Sequence, residues 1–141
     1  MADTTESNRQ LITAAFEAWR DDGVPVGTLF DPELVWLTEG TCVMAREYTS
    51  AQDFLENQLV PFQKRFPPEA PLRPVAIRGV YADGETVVVL WDARGVATDG
   101  VPYENSYAWL LTLREGRIVR GIGFFDAYRF DDLWNRVTPR T

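Results

Sequence analysis

The sequence predicts a single α+β domain, and three observations support that prediction. Apolar residues recur at helical spacing in the first third of the chain, a proline-rich segment follows at 65–71, and alternating stretches separated by short turns fill the remainder. Helices that precede a meander of antiparallel strands are typical of α+β domains. The chain of 141 residues suffices for one domain spanning 1–141, and we expect residues 1–7 to be a disordered tail.

The helices are placed by apolar spacing and by their start and stop signals. The first helix begins after Ser7 or Asn8, either of which is a suitable N-cap, and it ends at Gly23. A later helix begins at Ser50, and Pro61 should kink or end it. The segments between these helices are predicted as a short helix over 25–30, a turn at 31–32, a strand over 34–38, and a short strand or irregular return over 41–48.

Long strands fill the second half of the chain. They are predicted over 74–81, 86–97, 103–113 and 117–126, with a short terminal helix over 130–136. Asp83 and Gly84 form an Asp-Gly pair of the kind that closes a tight hairpin between the first two of these strands.

The two faces of strand 86–97 are both largely apolar, because side chains alternate along a strand. One face carries Val87, Val89, Trp91 and Ala93. The other face carries Val88, Leu90, Asp92, Arg94 and Val96. We therefore expect one side of the sheet to meet the helices and a cavity, and the other side to meet a second copy of the chain in a homodimer.

The composition excludes several classes of function. The chain contains no histidine and a single cysteine, so histidine-dependent catalysis, histidine-containing zinc sites and an internal disulfide are ruled out. We expect no metal and no cofactor. The net charge of −7 and the scattered arginines argue against a nucleic-acid partner. No apolar stretch reaches the length of a membrane span and no signal peptide is visible, so a cytoplasmic protein without a membrane partner is expected.

Several motifs occur in an order that is shared with a known superfamily. They are Leu29-Phe30-Asp31 before a strand with Trp36, Tyr103-x-Asn105-x-Tyr107-x-Trp109, Glu115-Gly116-Arg117-Ile118-Val119, and Phe124-Phe125-Asp126. From Leu11 to about Trp134 the chain resembles the nuclear-transport-factor-2-like, SnoaL-like superfamily, which includes polyketide cyclases, ketosteroid isomerase and limonene epoxide hydrolase. The resemblance implies a cystatin-like fold: a cone-shaped curved antiparallel sheet that encloses an apolar pocket under the N-terminal helices. It also implies a dimer.

The same resemblance indicates where the catalytic residues of relatives are replaced. Members similar to limonene epoxide hydrolase carry an Arg-x-Asp pair where this chain has Asp92 and Arg94 in the reverse order. A second acidic residue of those members, and an acidic residue of SnoaL-like cyclases, falls at or near Gly123. Members similar to ketosteroid isomerase have an aspartate base where Leu37 and Thr38 stand. The chain thus resembles the family in fold more than in active-site residues.

Asp92 and Arg94 are nevertheless the first candidates for catalysis. They lie two residues apart on one strand face, where the aspartate could act as a base and the guanidinium could hold a carbonyl or carboxylate. The alternative is an exposed ion pair. Asn105 and Tyr107 would be electrophilic partners, or core residues whose polar atoms are satisfied by the backbone. The predicted ligand-binding wall comprises Trp36, Thr38, Tyr103, Trp109 and Phe125.

Two functions remain open at this point. The protein could be a cofactor-independent isomerase, cyclase, dehydratase or hydrolase acting on a small apolar carbonyl or polyketide-like compound. It could instead be a ligand-binding or structural dimeric protein with no turnover. Glu39 could be a displaced base, although its place beside Gly40 favours a solvated turn, and Asp126 is better explained as a helix cap than as a catalyst.

Overall fold

The computed structural model describes residues 4–141, and its helices and strands follow the predicted order. The helical elements are α1 (Thr4–Asp22), a 3₁₀ helix (Val26–Leu29), α2 (Ala51–Phe54), a π-helical segment (Leu55–Leu59), α3 (Val60–Gln63) and α4 (Ala127–Arg136). The strands are β1 (Phe30–Thr38), β2 (Glu47–Tyr48), β3 (Arg73–Asp83), β4 (Thr86–Val96), β5 (Pro102–Arg114) and β6 (Arg117–Phe125).

The N-terminal helix is longer than the sequence predicted. Because α1 begins at Thr4, residues 4–7 are helical and their assignment to a disordered tail is wrong. Residues 1–3 of that predicted tail lie outside the described residues. Ser7 and Asn8 are inside the helix and do not cap it. The Asn8 side chain instead donates a hydrogen bond to the carbonyl of Gly84, 3.1 Å away, which ties α1 to the hairpin between β3 and β4.

The predicted start of a helix at Ser50 and the predicted Asp126 cap are confirmed. The Ser50 hydroxyl accepts a hydrogen bond from the Asp53 amide at 2.9 Å and starts α2. Asp126 accepts from the Tyr128 amide at 2.9 Å and starts α4. Pro61 lies in the first turn of α3, where a missing N–H is tolerated, so the helix continues past it and the irregularity appears as the π-helical segment just before.

The six strands form one curved sheet in the order β2-β1-β6-β5-β4-β3. The pairs among β3, β4, β5 and β6 are antiparallel, as predicted, whereas β1 runs parallel to β6. The predicted turn at 31–32 is wrong, because these residues belong to β1. The β1–β6 register shifts between Phe30 and Val35, which accommodates them as an irregularity within the strand.

The core lies between the helices and one face of the sheet. On β4 this inner face carries Val87, Val89 and Trp91, each at most 2% exposed. The α1 residue Phe16 is fully buried, and its ring lies edge-on to Trp91 with 5.4 Å between centroids. Each large apolar side chain buried in this way contributes about 1.5–3 kcal/mol relative to exposure. Burial of this face therefore decides which side of β4 the helices cover.

Within residues 4–141, no helix combines the length and apolar character that crossing a membrane requires.

Candidate functional site: an aromatic cavity under the helices

A cavity of about 440 Å³ lies between the inner face of the sheet and the helices. Four of the five tryptophans of the chain line it, namely Trp19, Trp36, Trp91 and Trp109. Tyr107, Phe125 and Phe130 add further rings to the wall. A cavity of this size and composition is suited to a small apolar molecule, and rings offer it large contact areas at little conformational cost.

The rings of the wall hold one another in place. Trp91 stacks on Tyr107 with 4.3 Å between ring centroids and 13° between planes. Trp109 meets Trp91 edge-on at 5.1 Å and Trp36 edge-on at 4.8 Å. On the helix side, Trp36 stacks on Phe54 at 4.5 Å. Each such ring pair contributes about 0.5–1.5 kcal/mol to stability beyond the contribution of its buried area. The wall is therefore a preformed surface.

Trp36 occupies the space in which a family carboxylate would have to stand. A Cβ placed on Gly123 would lie 3.1 Å from the Trp36 ring and 3.4 Å from the indole nitrogen of Trp109. A Cβ on Gly121 would lie only 2.2 Å from Trp36. The Trp36 ring therefore packs directly against the backbone of β6 at these two glycines. At Gly123, where the resemblance places an acidic residue of relatives, the Trp36 and Trp109 indoles leave little room for a side chain.

Asn105 joins β5 to the start of α4. Its side-chain nitrogen donates to the Asp126 carbonyl at 3.0 Å and to the Tyr103 hydroxyl at 2.8 Å. Its side-chain oxygen accepts from the amides of Asp126 at 3.1 Å and Ser106 at 2.9 Å. The amide group is thus fully used within the protein, and the interpretation of Asn105 as a buried residue with satisfied hydrogen bonds fits this geometry.

Tyr103 and Tyr107 extend that network to the cavity. Their hydroxyl oxygens are 2.7 Å apart, and Tyr107 lines the cavity while Tyr103 lies behind it. Burial raises the pKa of Tyr103 to about 12 and raises the pKa of Tyr107 well above its ordinary value. Both phenols are therefore neutral donors at physiological pH. One hydrogen bond joins them and Asn105 donates a second, so one of the two hydroxyl hydrogens has no acceptor among residues 4–141.

The most informative polar atom in the wall is the indole nitrogen of Trp91. The side chain is 2% exposed, and this nitrogen is buried without a hydrogen-bond partner. An unsatisfied buried donor costs about 1–3 kcal/mol, so an acceptor brought to this nitrogen would stabilise the protein. Gln58 adds a second donor: its Oε1 accepts from the Thr38 hydroxyl at 2.7 Å, and its Nε2 makes no hydrogen bond to any residue that the structure describes.

The ionic groups of the cavity wall are all cations. No aspartate or glutamate lines it, whereas Lys64, Arg73 and Arg140 do. Glu39 is exposed on the turn after β1, outside the wall, and its amide donates to the Gly123 carbonyl at 3.0 Å. Across residues 4–141, no three His, Cys, Asp or Glu side chains are grouped so that they could hold a metal ion.

The prediction that Asp92 and Arg94 form a pair facing the cavity is wrong. Both lie on the outer face of β4, and neither belongs to the cavity wall. Asp92 is 3.4 Å from Arg78 and accepts from the Ser106 hydroxyl at 2.8 Å. Arg94 pairs instead with Glu104 at 3.1 Å. The face of β4 that is buried carries Val87, Val89 and Trp91 and has no charge. Burying the opposite face would have removed Asp92 and Arg94 from water, at a much higher cost.

The other predicted site residues divide into two groups. Trp36, Tyr107, Trp109 and Phe125 lie in the cavity wall, and their roles in binding or catalysis stay predictions. Thr38 and Tyr103 are buried one layer behind it, where they are hydrogen-bonded to the wall residues Gln58 and Tyr107.

Sequence reasoning missed five polar residues that reach the cavity from elsewhere: Gln58, Gln63, Lys64, Arg73 and Arg140. The sequence held a signal for Gln58, since it interrupts the apolar stripe of the helix that begins at Ser50. It held none for the cations, because they come from separate segments that only the fold brings together.

A curved sheet with an aromatic cavity under its helices places the protein among small α+β cavity proteins. The chain belongs to the family of the SnoaL-like domain, whose sequence profile matches residues 9–121. The family resemblance and the fold class predicted from the sequence are thereby confirmed.

Solved structures with the same fold share little sequence with this chain. Bal32a, from a soil-derived mobile gene cassette, has a TM-score of 0.73 and 17% identity over 94% of this chain and 99% of its own. A candidate SnoaL-like polyketide cyclase from Jannaschia sp. CCS1 has a TM-score of 0.67 and 17% identity over 94% of each chain. A candidate ketosteroid isomerase from Kribbella flavida has a TM-score of 0.56 and 17% identity over 86% of this chain and 79% of its own. No curated protein sequence matches the chain.

Proposed function

We propose that this SnoaL-like protein binds a small apolar carbonyl compound in the aromatic cavity and does not turn it over by carboxylate chemistry. The observation that supports this most directly is the buried, unpartnered indole N–H of Trp91 in a wall without aspartate or glutamate. A ligand oxygen that accepts from Trp91 would remove the cost of the unsatisfied donor. The surrounding rings would bury the rest of the ligand.

The absence of a base in the wall is what separates this proposal from a ketosteroid-isomerase-like enzyme. Proton abstraction next to a carbonyl needs a group that is deprotonated near neutral pH and within reach of the substrate. The described cavity wall has only cations, amides, indoles and a phenol whose pKa is raised well above its ordinary value by burial. None of these groups is a base at pH 7.

The test uses a neutral aromatic ketone, 2-acetylnaphthalene, measured by equilibrium dialysis. Wild type should bind one equivalent, and Trp91→Phe should bind about 3–10-fold more weakly, because it keeps an aromatic ring and removes one hydrogen-bond donor. Trp134→Phe is the matched control, since Trp134 packs on Phe130 outside the cavity wall and should leave the affinity unchanged. Absence of saturable binding to wild type, or an equal loss in both variants, would contradict the proposal.

The Tyr107 hydroxyl favours a catalytic alternative, which can be tested directly. Either hydroxyl of the Tyr103–Tyr107 pair can donate to the other, and when Tyr103 donates, the Tyr107 hydroxyl hydrogen is free to stabilise charge on a carbonyl oxygen. An isomerase-type enzyme would accelerate exchange of the methyl protons of 2-acetylnaphthalene for deuterium in heavy water, and Tyr107→Phe would abolish the acceleration. We expect NMR to show exchange at the rate of the buffer alone in both proteins.

A further inference from the structure

We infer that the natural ligand is an anion, an apolar molecule of about two fused rings with one carboxylate, and that Lys64, Arg73 and Arg140 hold the carboxylate at the mouth of the cavity. This inference rests on the proposed function, since it names the ligand class of the same cavity. The three side chains line the cavity and are each half-buried, so they lie where the wall meets solvent. Such positions suit the charged head of an amphiphilic ligand.

Two of the cations are brought together by a reciprocal link between α3 and the start of β3. The Gln63 side chain donates to the Leu72 carbonyl at 2.8 Å and accepts from the Leu72 amide at 2.9 Å. Lys64 and Arg73 are the next residues on the two sides of that link. The backbone therefore brings these two residues near each other, and one terminal nitrogen of Arg73 also donates to the Arg20 carbonyl at 3.4 Å.

Arg140 joins them from the C-terminal segment. Its amide donates to the Lys64 carbonyl at 2.8 Å, which fixes the segment beside the end of α3. Its Nε donates to the Phe66 carbonyl at 2.8 Å, while its two terminal nitrogens make no hydrogen bond to any residue in the range 4–141. The guanidinium is thus oriented at one edge and open at the other, which is the geometry that receives a carboxylate with two parallel bonds.

The three cations at this mouth have no acidic partner within 4.0 Å, in which they differ from most arginines of the described residues, although Arg65, Arg117 and Arg120 also lack one. Eight arginines form salt bridges with aspartate or glutamate, including Arg46, Arg78, Arg94 and Arg136. No carboxylate lies within 4.0 Å of the Lys64, Arg73 or Arg140 side-chain nitrogens among the described residues, although the chain has 21 acidic and 14 basic residues. An anion supplied from outside would give these three cations the acidic partner that the eight paired arginines have within the protein.

The interior supports the same ligand class independently. Trp91 offers a buried unpartnered donor, and the wall around it is made of rings. A molecule with its carboxylate among the cations would extend its apolar body toward Trp36 and Trp109. A neutral ketone would use the rings and the indole but not the cations. A carboxylate and a neutral ketone of similar shape, which differ by one charge, can therefore be used to distinguish the two classes of ligand.

The experiment compares two probes of nearly equal size and shape, 2-naphthoate and 2-acetylnaphthalene, by equilibrium dialysis at pH 7.5. We expect wild type to bind the carboxylate at least about 10-fold more tightly than the ketone. Lys64→Gln and Arg140→Gln should each weaken 2-naphthoate about 3–10-fold and leave the ketone unchanged, which also shows that the variants are folded. Arg120→Gln is the matched control: it removes the same charge from an exposed position on β6 outside the wall and should change neither affinity.

The outcomes separate this inference from the proposed function. Equal binding of the two probes by wild type, or an equal effect of Arg120→Gln and Lys64→Gln on 2-naphthoate, overturns the inference while leaving the cavity as a binding site. Binding of neither probe overturns both.

Discussion

The two faces of β4 and β5 differ in whether their polar side chains have partners within the chain. On the outer face, Asp92 is satisfied by Arg78 and Ser106, and Arg94 is satisfied by Glu104. On the inner face there is no charge, yet the Trp91 nitrogen is left without a partner. The charged groups of the outer face thus have partners within the chain, whereas the inner face holds a polar atom without one. We therefore expect a ligand to contact the inner face of β4 and β5 and not the charged groups of their outer face.

The energies follow the same division. An exposed ion pair contributes about 0–1 kcal/mol, since water already solvates both partners. A buried donor without a partner costs about 1–3 kcal/mol, which binding can recover. Changes on the inner face should therefore alter stability and binding together, while changes of outer-face charges should alter neither.

The largest expected effect concerns the apolar part of the outer face and the surface that covers it. Six apolar side chains meet there across β4, β5 and β6: Val88, Leu90, Ala108, Leu110, Ile122 and Phe124. We predict that this patch forms a homodimer, so sedimentation at micromolar concentration should show twice the 16.0 kDa of the chain. Leu110→Arg should raise the dimer dissociation constant at least about 100-fold, because it places a charge in an apolar interface.

The control for the dimer prediction is Tyr128→Arg. Tyr128 is 81% exposed on α4, so the same charge placed there should leave the association unchanged. A wild-type species of 16.0 kDa at micromolar concentration would contradict the dimer.

The fold could be predicted from the sequence because its signals are local. The Asp83-Gly84 turn, the caps at Ser50 and Asp126 and the alternation of the strands each specify a short segment, and the segments assemble in only a few ways. The parallel pairing of β1 with β6 had no such signal. It depends on contacts between residues far apart in the chain.

The candidate site was predicted only in part, because the wrong face of β4 was assigned to the cavity. Both faces are apolar in the sequence, and the mid-strand charges of Asp92 and Arg94 drew the catalytic interpretation. The better signal was the absence of charge: from Val87 to Ala93 the alternate residues contain no ionisable group, and that face is buried. The basic mouth formed by Lys64, Arg73 and Arg140 could not be foreseen from residues so far apart.

A matched pair of glycines tests how rigid the inner face is. A Cβ on Gly121 would lie 2.2 Å from Trp36, which is 1% exposed and cannot move without disturbing the cavity wall. A Cβ on Gly79 would lie 2.6 Å from Tyr81, which is 59% exposed and can rotate into solvent. We expect Gly121→Ala to lower the free energy of unfolding by about 1–3 kcal/mol and Gly79→Ala to change it by about 0.5 kcal/mol or less.

Urea unfolding monitored by circular dichroism provides the measurement for both glycine variants. The expected difference arises from the mobility of the obstructing ring and not from the backbone, since neither glycine has a positive φ. Equal destabilisation of the two variants would mean that the cavity wall is no more rigid than the outer surface.

The smallest expected effect comes from the outer-face charges themselves. Because Asp92 and Arg94 have different partners, Asp92→Ala and Arg94→Ala should each change the free energy of unfolding by less than about 1 kcal/mol. For a chain of this length that corresponds to a shift of the melting temperature of about 4 °C or less. The double variant should equal the sum of the single variants within about 0.5 kcal/mol, since no interaction joins the two side chains. A loss of several kcal/mol in either single variant, together with strong coupling in the double variant, would show that the two residues form a buried pair. The comparison between the faces would then have to be reversed, with the charges rather than the indole nitrogen of Trp91 marking the site.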